Sequence, residues 1–386
     1  MKRLTRLALA IAAAASIAAC GSNDHEFEQG SIVTFGGDTH FGENYVESAE
    51  VSDGERLSDA DRYTGGFDHL RPLLSRADYS IVNLETPLSE QTRDRLRGKD
   101  YLHFTDSAKA IPALKAAGID AVGLANNHSM DQGASGLENT LGALDGSGLD
   151  HFGMGRDLDE ASAPLIKTIE RPGGGSVTLA VFAQFEFRDN YLANWPFYAT
   201  ADQPGAAPLD VARFTRQVDA LRQQHEDLFV VAFPHWGSNY AWASDEQDRL
   251  GRQLVDAGAD MVIGHHSHGT QEIARYKDRW ILFGIGNLLF NSRGRFADYD
   301  RAQPYGLVAE LSFAKEGGPA VRLHPFLSDN LKTGFKPRPA SEEEAAALMR
   351  TIRYRDKSTS FDAKLVRDRD GRSAIQLTPL SWTNWW

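Results

Sequence analysis

The sequence predicts a layered α/β protein, on three observations. Short β-rich runs alternate with amphipathic stretches, glycines stop two of those stretches just ahead of the next run, and polar residues follow six of the runs directly. The runs lie at 32–35, 79–84, 121–124, 177–182, 228–233, 261–263, 280–283 and 307–313. Between them, helical periodicity covers 67–76, 107–117, 134–144, 210–226 and 244–257. Gly118 and Gly258 fit helix C-terminal stops. A similar alternation restarts at Val177, as if two αβ halves faced each other, with 170–176 a hairpin or linker between them. The acidic stretch 341–349 reads as a late helix. Trp382, Trp385 and Trp386 end an extension, 331–386, that packs on the domain or trails it.

The N-terminus reads as a targeting segment. Lys2, Arg3 and Arg6 precede an apolar stretch at 7–17 that is shorter than the about 20 residues a bilayer span needs. Ile17-Ala18-Ala19-Cys20 resembles the lipobox of bacterial lipoproteins, which implies a signal peptide at 1–19 and acylation of Cys20. A lipidated tether, 20–30, would then hold a domain spanning 31–330 at the membrane. The expected location is outside the inner membrane, periplasmic or at the cell surface. Cys20 is the only cysteine, so the chain forms no intrachain disulfide and must be stabilised by its core. With 41 basic and 53 acidic side chains, the formal net charge is −12. That balance argues against general binding to nucleic-acid backbones. A phosphate-containing substrate remains compatible, provided local cations meet it.

The polar residues carry the functional signal. Apolar runs lead into Asp38 and His40, into Glu85, into Asn126, Asn127 and His128, into His235, into His265, His266 and His268, and into Asn287. Ligands of layered α/β folds bind beyond the carboxyl ends of strands. Side chains at six strand ends would therefore share one rim.

Their chemistry points to divalent metal. Imidazole suits Zn and Fe, while carboxylate and carbonyl oxygens suit Mn. Asp38-x-His40 and His266-x-His268 can each chelate from one extended turn; Glu85 could bridge two ions and Asn127 could supply an amide oxygen. Two ions would lower the pKa of a bridging water and neutralise phosphoryl charge. His128 would then stand beside the site as general acid. Two amides and an imidazole ending a buried strand, at 126–128, are expensive to hold without partners. Asp-x-His alone is a common turn sequence, and the weight lies in the whole set.

At these motifs the chain resembles the CapA family of poly-γ-glutamate capsule biosynthesis proteins. The matching residues are Gly37-Asp38, Val82-Asn83-Leu84-Glu85, Ala125-Asn126-Asn127-His128 with Asp131-x-Gly133, His235-Trp236-Gly237, Gly264-His265-His266-x-His268 and Gly286-Asn287. The resemblance covers roughly 31–330. It implies a four-layer αββα sandwich of calcineurin-like metallophosphoesterase type around a two-metal site. It further implies Asp38, His40 and His268 on one ion, Asn127, His235 and His266 on the other, Glu85 as bridge and His128 as catalytic acid, with Asp38 also counted as catalytic. Asn126 and Asn287 are expected to face substrate, and His265, which has no assigned place in that scheme, either to stand behind the metal ligands or to face substrate. A departure is Glu85, where ordinary metallophosphoesterases carry Asp.

Three functions follow as expectations. The first is a metal-dependent phosphoester hydrolase linked to capsule or poly-γ-glutamate synthesis and its machinery. The second is a non-hydrolytic factor that binds or exports an anionic polymer. The third is a metal-independent acid/base enzyme that acts on a peptide through Asp38, His128 or His266. Arg188, Arg293 and Arg295 are the arginines nearest the motifs for an anionic substrate, though surface positions suit each as well.

Overall fold

Two central strands divide their apolar residues between two cores. Along Ser176–Phe185, Val177, Leu179 and Val181 belong to one buried cluster, and Ala180 and Phe182 to another. Leu228–His235 repeats the pattern, with Phe229, Val231 and Phe233 set against Leu228, Val230 and Ala232. Because side chains alternate across a strand, such a sheet must be covered on both faces.

The computed structural model describes residues 30–43, 50–51, 55–300, 302–353 and 363–377. The expected signal peptide, Cys20 with its tether up to residue 29, and Trp382, Trp385 and Trp386 lie outside the described residues. The longer elements are numbered here along the chain. The first stretch holds β1 (Ser31–His40), β2 (Tyr79–Leu84), α1 (Ser107–Ala117), β3 (Ala121–Gly123), α2 (Gly133–Leu144) and β4 (Asp150–Phe152). The second holds β5 (Leu165–Glu170), β6 (Ser176–Phe185), α3 (Val211–Gln224), β7 (Leu228–His235), α4 (Asp245–Asp256), β8 (Met261–Ile263), β9 (Ile273–Tyr276) and β10 (Arg279–Leu282). The chain then returns through β11 (Asn287–Phe290), β12 (Tyr305–Phe313), β13 (Ala320–Leu327), α5 (Glu342–Thr351), β14 (Ala363–Arg367) and β15 (Ser373–Leu377).

One sheet has the order β14-β15-β13-β12-β1-β2-β3-β4, with β11 pairing in parallel with the end of β1. The other has the order β9-β10-β8-β7-β6-β5. The sheets face each other through Phe35 against Phe233, ring centroids 5.8 Å apart, and Phe229 against Phe313, 5.4 Å apart. On the far side of the second sheet, Phe214 and Val218 of α3 and Leu250 and Leu254 of α4 cover Ala180, Phe182, Ala232 and Val262. The parallel crossovers β2-α1-β3-α2-β4 put α1 and α2 on one face of the first sheet. Its inner face is taken by the second sheet, so the layers run helix, sheet, sheet, helix. The four-layer αββα sandwich is therefore present.

Local chemistry explains the helix ends. Asp106 and Asp210 cap α1 and α3, and Ser244 with Gln247 forms a capping box on α4. Gly118 and Gly258 stand in left-handed conformation at φ +87° and +101°, where a side chain would be strained. The expected helix at 67–76 is instead the 3₁₀ turn Gly65–Phe67 and the single turn Arg71–Leu74, whose second residue is Pro72. The 170–176 segment is a hairpin turn, because β5 and β6 pair antiparallel from Leu165↔Val181 to Glu170↔Ser176.

Beyond residue 330, β15 pairs with β13 and extends the first sheet. A buried charge cluster clamps this hairpin. Arg76 reaches Glu310 and lies 3.6 Å from Asp368, while His324 lies 3.0 Å from Glu310 and 3.5 Å from Asp368.

Candidate metal centre

Parallel strands of both sheets end on the same rim. β1 delivers Asp38, β2 leads to Glu85, β3 to Asn126–His128, β7 ends in His235, and β8 leads to His265, His266 and His268. Close backbone approach needs glycine at two of these turns. A Cβ on Gly37 would lie 1.8 Å from the Gly286 carbonyl oxygen, and one on Gly264 would lie 2.2 Å from both Phe283 O and Trp236 Nε1. His266 and His268 themselves adopt positive φ, +92° and +59°. Strain of this kind persists where the surroundings over-determine the turn, and it collects at functional sites.

The side chains converge. Asp38 Oδ1 accepts from Asn83 Nδ2 at 2.8 Å, and its Oδ2 accepts from the His266 N–H at 3.0 Å. Around it stand His265 at 3.3 Å, His235 at 3.8 Å and His268 at 3.9 Å. Glu85 lies 3.6 Å from His235 Nε2 and 3.8 Å from His128 Nε2. His235 Nε2 also meets Asn127 Oδ1 at 2.6 Å. Asn287 Oδ1 orients His268 through Nδ1 at 2.9 Å.

Burial sets the electrostatics. It pushes Glu85 well above the usual carboxylate range, and the neighbouring charge of Asp38 adds to the effect. Burial also acts to raise Asp38, yet its hydrogen bond and charge interaction with His265, helped by His268 and His266, hold it below its usual value. Burial drives His235 and His128 well down and His266 to about 3, so these rings are neutral and carry lone pairs.

This donor set fits divalent metal. Both Glu85 carboxylate oxygens, His265 Nε2 and His266 Nδ1 are buried without a hydrogen-bond partner. Orphaned buried acceptors are costly. Among the described residues, the basic groups within 4 Å of the Asp38 and Glu85 oxygens are histidines, and no lysine or arginine stands that close to them. Ligand atoms of Asp38, His235 and His265, of Glu85, His235 and His266, and of Asp38, Glu85 and His268 lie within 4.8 Å of one another in each group. A fourth group, His103, His128 and Asp131, already contains a cation: Lys99 Nζ stands 2.6 Å from Asp131 and 3.0 Å from His128 Nδ1.

Asp38, Glu85, Asn127, His128, His235, His266, His268 and Asn287 thus share the rim, and two expectations change. His40 joins none of the four groups among the described residues. Its ring stacks on His103 at 3.9 Å and tilts against Phe290 at 5.0 Å, which places it beside the His103–His128 stack. Asn126 is 1% exposed and gives its amide hydrogens to Asn83 and Leu84 O, while its oxygen accepts from His128 N–H; it folds the turn instead of facing substrate. Of the two positions expected for His265, the buried one is found: at 1% exposed it sits with Asp38 and His235, away from the open side.

Sequence reasoning missed His103 and Lys99. Both come from a loop with no periodic signal. His103 stacks on His128 at 3.4 Å and contacts Glu85 O through Nδ1 at 2.8 Å. Asn83 and Asp131 lay in the motifs but were given no work. Asp131 Oδ2 lies 2.6 Å from His128 Nδ1 and fixes that ring.

A cavity of about 270 Å³ opens beside His128, His103 and His268, rimmed by Tyr240, Arg293 and Arg295. Arg295 lies over the Tyr240 ring at 5.5 Å. Arg188 is committed elsewhere: it pairs with Glu186 at 2.7 Å and donates to Gly237 O, bracing the loop after His235.

A family model described as bacterial capsule synthesis protein PGA_cap matches residues 32–292. The chain is 31% identical over 316 residues to the capsule biosynthesis protein CapA of Bacillus anthracis, covering 81% of this chain and 71% of that one. It is also 31% identical over 226 residues to the PGA biosynthesis protein CapA of Bacillus subtilis (strain 168), where the match spans 58% of this chain and 56% of the relative. Among solved structures it is similar to the calcineurin-like phosphoesterase YfkN from Bacillus subtilis, at 14% identity and a TM-score of 0.43, covering 83% of this chain and 96% of that one.

Proposed function

Because this chain belongs to the PGA_cap family of bacterial capsule synthesis proteins, we propose that it is a metal-dependent phosphoester hydrolase serving capsule or poly-γ-glutamate synthesis outside the cytoplasm. One observation carries the reading. Glu85 and Asp38 are wholly buried side by side among neutral imidazoles, and both Glu85 oxygens lack a hydrogen-bond partner. A cation between them removes that cost.

Asp38, Glu85, Asn127, His235, His266 and His268 would hold the ions, with His265 a further donor. Divalent metal bound there would supply Lewis acidity, lowering the pKa of water and offsetting phosphoryl charge. The chain's own groups do the rest. Asp131 and Lys99 hold the His128 ring, whose Nε2 side lies toward Glu85 and the cavity. In the neutral ring with Nδ1 accepting from Lys99 the proton stands on Nε2, so His128 would offer that N–H to a leaving oxygen while Lys99 supplies a proton to Nδ1. Arg293 and Arg295 would meet an anionic substrate at the rim. A lipid anchor on Cys20 would keep this activity at the membrane, and Cys20→Ala would then release the protein from membrane fractions.

Metal analysis of protein purified without chelators, beside turnover of an aryl phosphate, tests the reading. About two equivalents of metal with turnover abolished in Asp38→Asn supports it; metal-free, inactive protein sinks it. The names of the relatives, which state biosynthesis and not hydrolysis, favour a second reading as an anionic-polymer factor. Metal-free protein that binds poly-γ-glutamate would be its mark.

A further inference from the structure

We infer that the loop over residues 91–102 forms a landing groove for a linear polycarboxylate chain and delivers it to the cavity beside His128. The occupant's class rests on the capsule-polymer reading above; the groove itself rests on charge and position. It has a volume of about 810 Å³ and is lined by Arg93, Arg95, Arg97 and Lys99 together with neutral residues, and no carboxylate lines it among the described residues. In a chain of formal net charge −12, the segment 91–102 carries four cations against two acids, Asp94 and Asp100, and neither acid is among the residues that line the groove. Arg93, Arg95 and Arg97 are exposed. An acidic surface repels a polyanion elsewhere, so such a patch both attracts and orients one.

The groove is pinned to the catalytic turn. Thr92 N donates to Gln132 Oε1 at 3.0 Å and Thr92 Oγ1 to Gln132 O at 2.6 Å, while Leu96 N donates to Asp131 O at 2.9 Å. Lys99 lines the groove and also contacts Asp131 and His128, and two residues on, Tyr101 and then His103 line the cavity. Groove and cavity are therefore consecutive along one short segment, with Arg293 and Arg295 on the cavity's rim. A chain lying in the groove has its next units at the cavity mouth.

The test uses the full chain and fluorescein-labelled poly-γ-glutamate, followed by anisotropy at low and at physiological salt. In the triple variant Arg93→Gln, Arg95→Gln, Arg97→Gln, affinity for the polymer should fall at least about tenfold and its salt dependence should flatten. Turnover of a small aryl phosphate should stay unchanged, because these arginines touch neither His128 nor the buried carboxylates. Polymer binding equal to that of the parent protein in the triple variant overturns the groove, as does absence of binding by the parent protein. Inorganic polyphosphate that binds the parent protein more tightly than poly-γ-glutamate overturns the polycarboxylate assignment. Anisotropy reads the groove without catalysis, so a failed phosphatase assay with intact, arginine-dependent polymer binding would sink the hydrolase alone.

Discussion

Lys99 holds its ammonium 3.0 Å from Nδ1 of His128, and the same ammonium lies 2.6 Å from Asp131 Oδ1. A fixed cation thus fills the one cluster at the rim that is furthest from the Asp38–Glu85 pair in composition, sharing no residue with the other three. Partners that orient a functional imidazole typically matter by about 10–100-fold when removed. Lys99→Met should lower aryl-phosphate kcat by about that factor with metal content unchanged, and Lys99→Arg should restore part of it. Equal loss of metal and turnover in Lys99→Met would mean that Lys99 supports the fold of the centre instead of the ring.

Metal removal should destabilise the protein, and Glu85 gives the sign. Its folded pKa is raised above the usual carboxylate value, so without metal it opposes folding at every pH above about 4.5. Chelator treatment at neutral pH should lower Tm by several degrees. In chelated protein Glu85→Gln should then melt higher than the parent chain, while in metal-loaded protein the order should reverse. Calorimetry with and without chelator reads both comparisons.

The charge clamp on the β14–β15 hairpin predicts a second pH effect. Burial raises Glu310, but His324 and Arg76 overcome it and hold the carboxyl at about 2. Burial lowers His324, but Glu310 and Asp368 overcome that and raise it above 6.5. The carboxylate contribution is present above about 4.5 and is lost as pH falls toward 2. The His324 contribution is complete below 6.5 and is lost as pH rises through its raised value. Tm should therefore pass a maximum between these limits, and His324→Gln should remove the alkaline decline selectively.

Gly264→Ala tests the turn that carries the three clustered histidines. The added methyl would sit 2.2 Å from Phe283 O and Trp236 Nε1, both rigid, so the loop must move. Overpacking of this kind costs about 1–3 kcal/mol. The expected outcome is a lower Tm and metal content well below that of the parent chain. Unchanged metal would show that the turn tolerates displacement without spoiling the ligands.

The helices and central strands were legible because their signals are local. Asp106 with Gly118, and Ser244 with Gly258, bracket amphipathic stretches, and the runs leading to Asp38, Glu85, His235 and His265 are apolar enough to need burial. The edge strands were not legible. β5 alternates exposed Ile166 with buried Leu165 and Ile169, and β14 and β15 gain their partners only by docking on β13. The single turn Arg71–Leu74 was overread because periodicity alone does not register what Pro72 does to the chain before it.

The amino-acid order by itself determined that α/β layers form and which polar side chains stand at strand ends, since cap chemistry and burial act over a few residues. It could not determine which of those side chains share ligand positions. His40 stacks on His103 instead of joining Asp38, and the segment that runs from the 91–102 loop into His103 brings His103 and Lys99 against His128. Those choices depend on how two sheets pack and where a loop without periodicity comes to rest, and distances of that kind exist only after the chain has folded.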